Sequence, residues 1–306
     1  MNRDEFVAYR RTLGPTPKLR RLTVTARGLD FAVWHTAEVP GATPLLCING
    51  GLLYDHSLLW PALSPLAAGR QLWFYDQRGR GKTPAPPGAK GARLEHDAGD
   101  VAALRQALGI ARWDLLGHSW GGGLALLAAE RDGEGTRAVV GVCPVGATSA
   151  WMPALEEAAR ERLDPAARAA LDRYPLSALT TDDPTVQSAH ARALYPAWFA
   201  DRSLATLFSP PRATSVTGAA VAGRIRREGY DWRALLSALR APVLVISAER
   251  DLLPLKVGRE LADTLPSARL VVVPGSGHMP FWEAPQRFFA VVESFLSKPS
   301  PDWVPP

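Results

Sequence analysis

The chain has 306 residues, 47% of them hydrophobic and 21% charged, with 35 basic residues against 30 acidic for a net charge of +5. This is ordinary globular usage and excludes a disordered or low-complexity scaffold; the length permits two domains or one large core carrying an insertion. The basic residues are mostly Arg and scattered, with Arg224, Arg226 and Arg227 the densest cluster, so no nucleic-acid surface is expected.

Residues 1–21 are charged and lack the apolar stretch of a secretory leader, which predicts a cytoplasmic protein. Residues 21–27 and 31–36 alternate around Gly28-Leu29-Asp30 and predict a hairpin. The pattern then changes to solid apolar runs at 45–48, 72–75, 113–116, 138–143, 243–246 and 270–273. Runs without alternation are what strands buried on both faces look like. Helical patterns lie between several of them, at 95–108, 124–129, 257–265 and 286–296. Strand–helix alternation predicts an α/β class fold, a mostly parallel central sheet flanked by helices.

Residues 147–239 break the rhythm, with helix-like pieces at 153–163 and 184–200 and no convincing strand. They are expected to form a helical cap inserted between core segments 1–146 and 240–298. The tail, 299–306, is rich in Pro and expected to be extended or frayed. The longest uncharged run, 138–155, is broken by Gly141, Pro144, Gly146 and Pro153, so it reads as a strand entering a loop and not as a membrane span. Cys47 and Cys143 sit in apolar runs with no C-x-x-C or zinc spacing. Free buried thiols in a reducing compartment are expected, with no metal and no cofactor.

The strongest chemical signal is Gly117-His118-Ser119-Trp120-Gly121. It follows an apolar strand and opens a helix, as a nucleophile elbow must. The turn strains the serine, and the flanking glycines let helix and strand approach. The hydroxyl then sits at a helix N-terminus, where an oxyanion is stabilised. A serine nucleophile needs a base and an orienter, here in the chain order serine, acid, histidine. Asp251 follows the strand at 243–247, with Glu249 as the nearest substitute, and His278 follows the strand at 270–273 in a glycine-bearing loop. His35, His56, His96, His118 and His190 lack such a setting. Two backbone donors are needed for the oxyanion. The Trp120 amide supplies one; the other comes from Asn49-Gly50-Gly51-Leu52, with Gly51 first and Leu52 second.

Three segments together resemble the prolyl aminopeptidase (proline iminopeptidase) family of the α/β-hydrolase superfamily. Asn49-Gly50-Gly51 stands where that family has His-Gly-Gly-Pro-Gly. Residues 75–83, Tyr-Asp-Gln-Arg-Gly-Arg-Gly-Lys-Thr, are close to its Tyr-Asp-Gln-Arg-Gly-x-Gly-x-Ser. Residues 117–122 match its elbow. The resemblance covers about residues 25–145 and 240–297 and implies an α/β-hydrolase fold with Ser119, Asp251 and His278 as the triad. The family's caps carry glutamates for a free N-terminal amine. Here Phe199, after Tyr195 and Trp198, falls where one glutamate belongs, and Arg226 where another does, with Glu228 two residues on as a possible replacement. An ammonium buried without a carboxylate is costly, so a neutral, apolar acyl substrate contacting Tyr195, Trp198, Phe199 and Phe208 is expected.

The expectation is a serine hydrolase of small, largely apolar esters, lactones or amides. Prolyl aminopeptidase activity on short peptides is the near alternative. A non-catalytic ligand-binding protein on the same fold is the alternative of another class. A small-molecule or short-peptide substrate is the expected partner, with no nucleic acid and no membrane; the sequence leaves the oligomeric state open.

Overall fold

The computed structural model describes residues 1–209 and 214–306. The chain opens on α1 (Arg3–Thr12), whose start is an Asn2/Glu5 capping box: the Asn2 side chain accepts from the Glu5 amide, and the Glu5 carboxylate accepts from the Asn2 amide. Eight strands follow: β1 (Arg20–Ala26), β2 (Leu29–His35), β3 (Leu45–Ile48), β4 (Leu72–Tyr75), β5 (Trp113–His118), β6 (Thr136–Val142), β7 (Val243–Ala248) and β8 (Ala268–Val273). They form one sheet in the order β1-β2-β4-β3-β5-β6-β7-β8. The β1–β2 hairpin and the β2–β4 pair are antiparallel, and every other pair is parallel.

Five of the six solid apolar runs have the expected cause; the sixth, at 270–273, lies on the edge strand β8, where Val271 and Val273 are buried but Leu270 and Val272 only partly so. Along β3, Leu45 and Cys47 enter one core while Leu46 and Ile48 enter the other; along β4, Leu72 and Phe74 separate in the same way from Trp73 and Tyr75. With both faces covered, no strand position can be polar without cost. The first face is covered by α1 and by α11 (Pro285–Ser297), which contributes Phe288, Val291, Val292 and Phe295. The second is covered by α2 (Leu94–Ala107), α3 (Trp120–Asp132) and α9 (Leu255–Thr264). Helix α3 begins four residues earlier than the apolar pattern suggests, directly after Ser119.

Between β6 and β7 lie α4 (Met152–Arg162), α5 (Pro165–Arg173), α6 (Pro184–Leu194), α7 (Val216–Glu228) and α8 (Arg233–Leu236), with no strand among the described residues. Helix α6 is shorter than expected. Pro196 has no amide hydrogen to continue the helical ladder, and the chain tightens into a 3₁₀ turn over Tyr195–Trp198. A four-residue helix, α10 (Pro280–Glu283), precedes α11. The tail is not frayed: Trp303 is buried edge-on against Phe295 at 5.4 Å, and its indole N–H donates to the Ser294 hydroxyl at 3.2 Å. A single aromatic with a partner for its polar atom is enough to dock a proline-rich end. Among the described residues no helix is long and apolar enough to cross a membrane.

Candidate active site

Strand β5 delivers Ser119 at φ 55°, ψ −119°. That backbone region costs a non-glycine residue about 1–3 kcal/mol. The surrounding backbone holds it there: the Ser119 amide donates to the Val142 carbonyl at 2.8 Å, and its carbonyl accepts from the Gly122 and Val145 amides at 2.9 and 3.2 Å. The flanking glycines are steric necessities. A Cβ on Gly117 would lie 2.1 Å from the Gly121 carbonyl oxygen, and one on Gly121 would lie 2.3 Å from that of Ile48. Ser119 is therefore the N-cap of α3, whose first amides have no intrahelical acceptor.

Asp251 leaves the C-terminal end of β7, and His278 the C-terminal end of β8. Their side chains meet, with His278 Nδ1 2.7 Å from Asp251 Oδ1 in a buried pair. The bond places the ring proton on Nδ1 and leaves Nε2 as the basic nitrogen. Burial pushes the Asp251 carboxyl upward, but His278, with hydrogen bonds from His278, Cys143 and the Leu253 amide, carries it below the usual carboxylate value. Burial keeps the Cys143 thiol well above its usual value, so it stays protonated and can donate. Glu249, the substitute acid, is exposed and accepts from the Gly275 amide at 2.8 Å, away from the imidazole. His118 is buried, and burial pushes it down to about 3, so it is neutral. Its Nε2 lies 2.9 Å from the His278 carbonyl oxygen and donates to it, bracing the histidine loop.

The 49–52 loop lies against the elbow. A Cβ on Gly50 would meet the His118 carbonyl at 2.6 Å and Ser119 Cβ at 2.9 Å. Gly51 has φ +64° and faces the Tyr54 ring so closely that a Cβ would sit 2.1 Å from it. The 75–83 segment holds this loop in place. Gln77 Nε2 donates to the Asn49 carbonyl at 3.2 Å, and Arg80 Nε donates to the Leu52 carbonyl at 2.9 Å. Arg80 is itself buried on Asp97 at 3.0 and 3.1 Å. Asp76 accepts from the His56 amide and ring and from the Lys82 amide.

Ser119, His278, Trp120, Gly51 and Leu52 all border one cavity of about 130 Å³. The rest of its wall is mainly apolar: Leu53, Tyr54, Leu58 and Leu252 from the sheet side, and Trp151, Leu155, Leu179, Leu194 and Trp198 from the β6–β7 connection. Of the four residues expected at the substrate, only Trp198 borders the cavity, edge-on to His278 at a centroid distance of 5.9 Å. Tyr195 and Phe199 are buried behind it, Tyr195 against Trp198 and Phe199 stacked on Phe208 at 5.4 Å. Glu228 lies elsewhere. It is exposed at the end of α7 and paired with Arg224 one turn back at 3.0 Å, a helix-surface ion pair and not an amine anchor.

Sequence reasoning missed two residues. Glu283 accepts from the Gly277 amide at 3.0 Å and the Ala200 amide at 2.7 Å, tying the His278 loop to the β6–β7 connection. The His278 amide adds a bond to the Trp198 carbonyl at 2.7 Å. His190 borders the cavity from α6. Its only sequence signal is the four-residue spacing to Leu194, which puts both on one helix face. Among the described residues two groupings have metal-ligating atoms within 4.8 Å, Cys143/Asp251/His278 and Asp55/His56/Asp76. In both, the hydrogen bonds described above already occupy the donor atoms, and Asp55 accepts from Ser57. Cys47 and Cys143 are free and buried.

A family model described as alpha/beta hydrolase fold matches residues 43–285. A proline iminopeptidase of Lactobacillus delbrueckii subsp. bulgaricus is 26% identical over 90% of this chain and 98% of the relative. A 2-hydroxymuconate semialdehyde hydrolase of Pseudomonas putida is 31% identical over 67% of this chain and 68% of its own. The crystal structure of a Mycobacterium smegmatis proline iminopeptidase superposes with a TM-score of 0.65 at 25% identity, covering 91% of this chain and 98% of that one. With the family model spanning most of the sheet, the elbow and the histidine loop, the chain is an α/β-hydrolase enzyme, a member of the alpha/beta hydrolase fold family.

Proposed function

We propose that this enzyme is a serine hydrolase of small, largely apolar esters, lactones or amides, acting through Ser119, His278 and Asp251. Ser119 attacks the carbonyl carbon, and His278 takes the hydroxyl proton at Nε2. Asp251 fixes the ring tautomer and stabilises the imidazolium. The Trp120 amide, with that of Gly51 or Leu52, receives the developing oxyanion. His278 returns the proton to the leaving group, and water, activated by the same imidazole, cleaves the acyl-enzyme.

The observation that carries the substrate class is the cavity wall: among its described residues there is no carboxylate. A free N-terminal ammonium entering it would lose its hydration without a counter-charge. The proline iminopeptidase relatives favour a second reading, release of N-terminal proline. One assay separates the two, with wild type and Ser119→Ala tested on proline p-nitroanilide and on short-chain p-nitrophenyl esters. Ester turnover without anilide turnover, reduced at least about 10⁴-fold in the variant, is the expected result. Rapid proline release would reverse the substrate assignment, and turnover unchanged in Ser119→Ala would remove the mechanism.

A further inference from the structure

We infer that Trp151 is a specificity residue of this site, the partition that ends the acyl side of the Ser119 cavity and so limits the length of acyl chain the enzyme accepts. The inference rests on the reading of that cavity as the acyl site.

A second cleft, of about 460 Å³, lies between the exit of β6 and α9. Its rim is charged, with Arg233, Lys256, Glu260 and Asp263 all exposed. Among the described residues Trp151 alone borders both this cleft and the Ser119 cavity. It closes the 3₁₀ turn Ser149–Trp151 and stands one helical turn before Leu155, which also borders the cavity. The indole is fixed from two sides. Its N–H donates to the Tyr230 hydroxyl at 2.5 Å, and that hydroxyl donates to the Gly146 carbonyl at 3.1 Å. A Cβ on Gly146 would lie 3.5 Å from Trp151 Cδ1 and 3.1 Å from Val257 Cγ1, so the ring and the buried Val257 flank the same glycine. A ring held by a hydrogen bond and by packing is a fixed wall.

The leaving group departs on the His278 side, where the imidazole returns its proton. Trp198, edge-on to that ring, and Leu252, next to Asp251, line that side. Trp151 belongs to the other side: its partner Tyr230 lies edge-on to Trp120, the residue after the nucleophile, at a centroid distance of 6.0 Å. That side is left for the acyl chain. The cavity of about 130 Å³ takes a short chain, and the next methylenes meet the indole. With the ring gone they would lie against Val257 and Ala147, both buried and apolar, before reaching the charged rim. Each methylene newly buried is worth about fourfold in affinity. Whichever edge of the ring faces Ser119, truncation removes the whole of it.

The test measures kcat/KM for p-nitrophenyl acetate, butanoate, hexanoate and octanoate on wild type, Trp151→Ala and Trp151→Leu. In the wild type the values fall once the chain passes the wall. The octanoate-to-butanoate ratio rises about tenfold or more in Trp151→Ala. It rises by less in Trp151→Leu, which keeps an apolar side chain at the position and reports alone should the alanine variant not fold. Ratios unchanged in the variants, an equal loss at every length included, would overturn the inference, because a ring that only supports the fold lowers all four esters alike. Calorimetric binding of butanamide, hexanamide and octanamide to Ser119→Ala protein, with and without Trp151→Leu, reads the same limit without chemistry. A failure of the Ser119 mechanism therefore shows only in turnover, whereas a failure of the Trp151 inference leaves both chain-length profiles where they were.

Discussion

The two sides of the cavity are built by different means. The sheet side is a matter of backbone: Ser119 at φ 55°, Gly117 and Gly121 in contact with carbonyl oxygens, and Gly50 pressed on the elbow. No side-chain rearrangement can relieve such contacts. The other side, from the β6–β7 connection, is a matter of side chains: Trp151, Leu155, Leu179, His190, Leu194 and Trp198 project from short helices and 3₁₀ turns. Chemistry placed on backbone is rigid and intolerant. Specificity placed on side chains of short elements can change without disturbing the sheet. Substitutions on the sheet side should therefore act on all substrates or on the whole fold, and those opposite should act selectively.

The largest expected effect is at Asp251. Asp251→Asn leaves the fold intact but favours the wrong imidazole tautomer, so kcat drops by about 10⁴. The drop should be the same for every substrate the enzyme accepts, measured by steady-state kinetics on two unrelated leaving groups. A selective loss would break the division between the two sides. Next is Gly117→Ala. Its Cβ would sit 2.1 Å from a backbone oxygen of α3, and helix and strand cannot separate without unpacking both faces of the sheet. A loss of about 4 kcal/mol or more in urea unfolding, or no folded protein, is expected. A mild effect would show that the elbow is looser than its contacts imply.

The same contrast decides what could be read from sequence. Buried strands declare themselves by composition, and the elbow, Asp251 and His278 each follow a strand in a fixed order, so the sheet and the residues at its C-terminal edge were legible. Glu228 was misplaced because its partner is Arg224, one helical turn away, and no pattern separates a surface ion pair from an amine anchor. Phe199 and Tyr195 have the right composition for a substrate wall, but only a three-dimensional position shows that Trp198 screens them. His190 and Glu283 are meaningful only where distant segments meet. His190 needs the Tyr174 carbonyl and Glu283 the Ala200 amide, and neither meeting leaves a periodic trace. The docked tail has the same origin, a lone Trp303 finding Phe295.

Glu283 joins the two sides and gives the third prediction. Burial pushes its carboxyl from an ordinary 4.5 to about 7 despite its backbone donors. Between those values the folded protein keeps a proton that the unfolded chain has released, so stability falls as pH rises through that window. By linkage the decline is about 3 kcal/mol. Glu283→Gln cannot titrate. Urea unfolding of both proteins from pH 4.5 to 7 should show the wild type losing that amount relative to the variant. A constant difference would mean that the Gly277 and Ala200 amides hold the carboxylate ionised throughout.

The smallest effect is predicted opposite the sheet, where the elbow's intolerance should be absent. Gly223 lies in the middle of α7 with ordinary helical backbone. A Cβ there would meet the Arg227 Nη1 atom at 3.2 Å and the Thr180 side chain at 3.6 Å. The guanidinium is the far end of an exposed, flexible side chain and can swing away, and the Thr180 contact is ordinary van der Waals packing. Gly223→Ala therefore gains helix propensity and loses unfolded-state entropy without a clash, a stabilisation of about 0.5–1 kcal/mol. Gly117→Ala adds the same methyl group to an equally buried glycine, so the pair isolates what the methyl meets: a carbonyl fixed in a helix, or a side chain free to move. Equal destabilisation by the two would mean that α7 is held as tightly as the elbow. Opposite signs in the same unfolding assay would show that this intolerance belongs to the elbow and not to buried glycines in general.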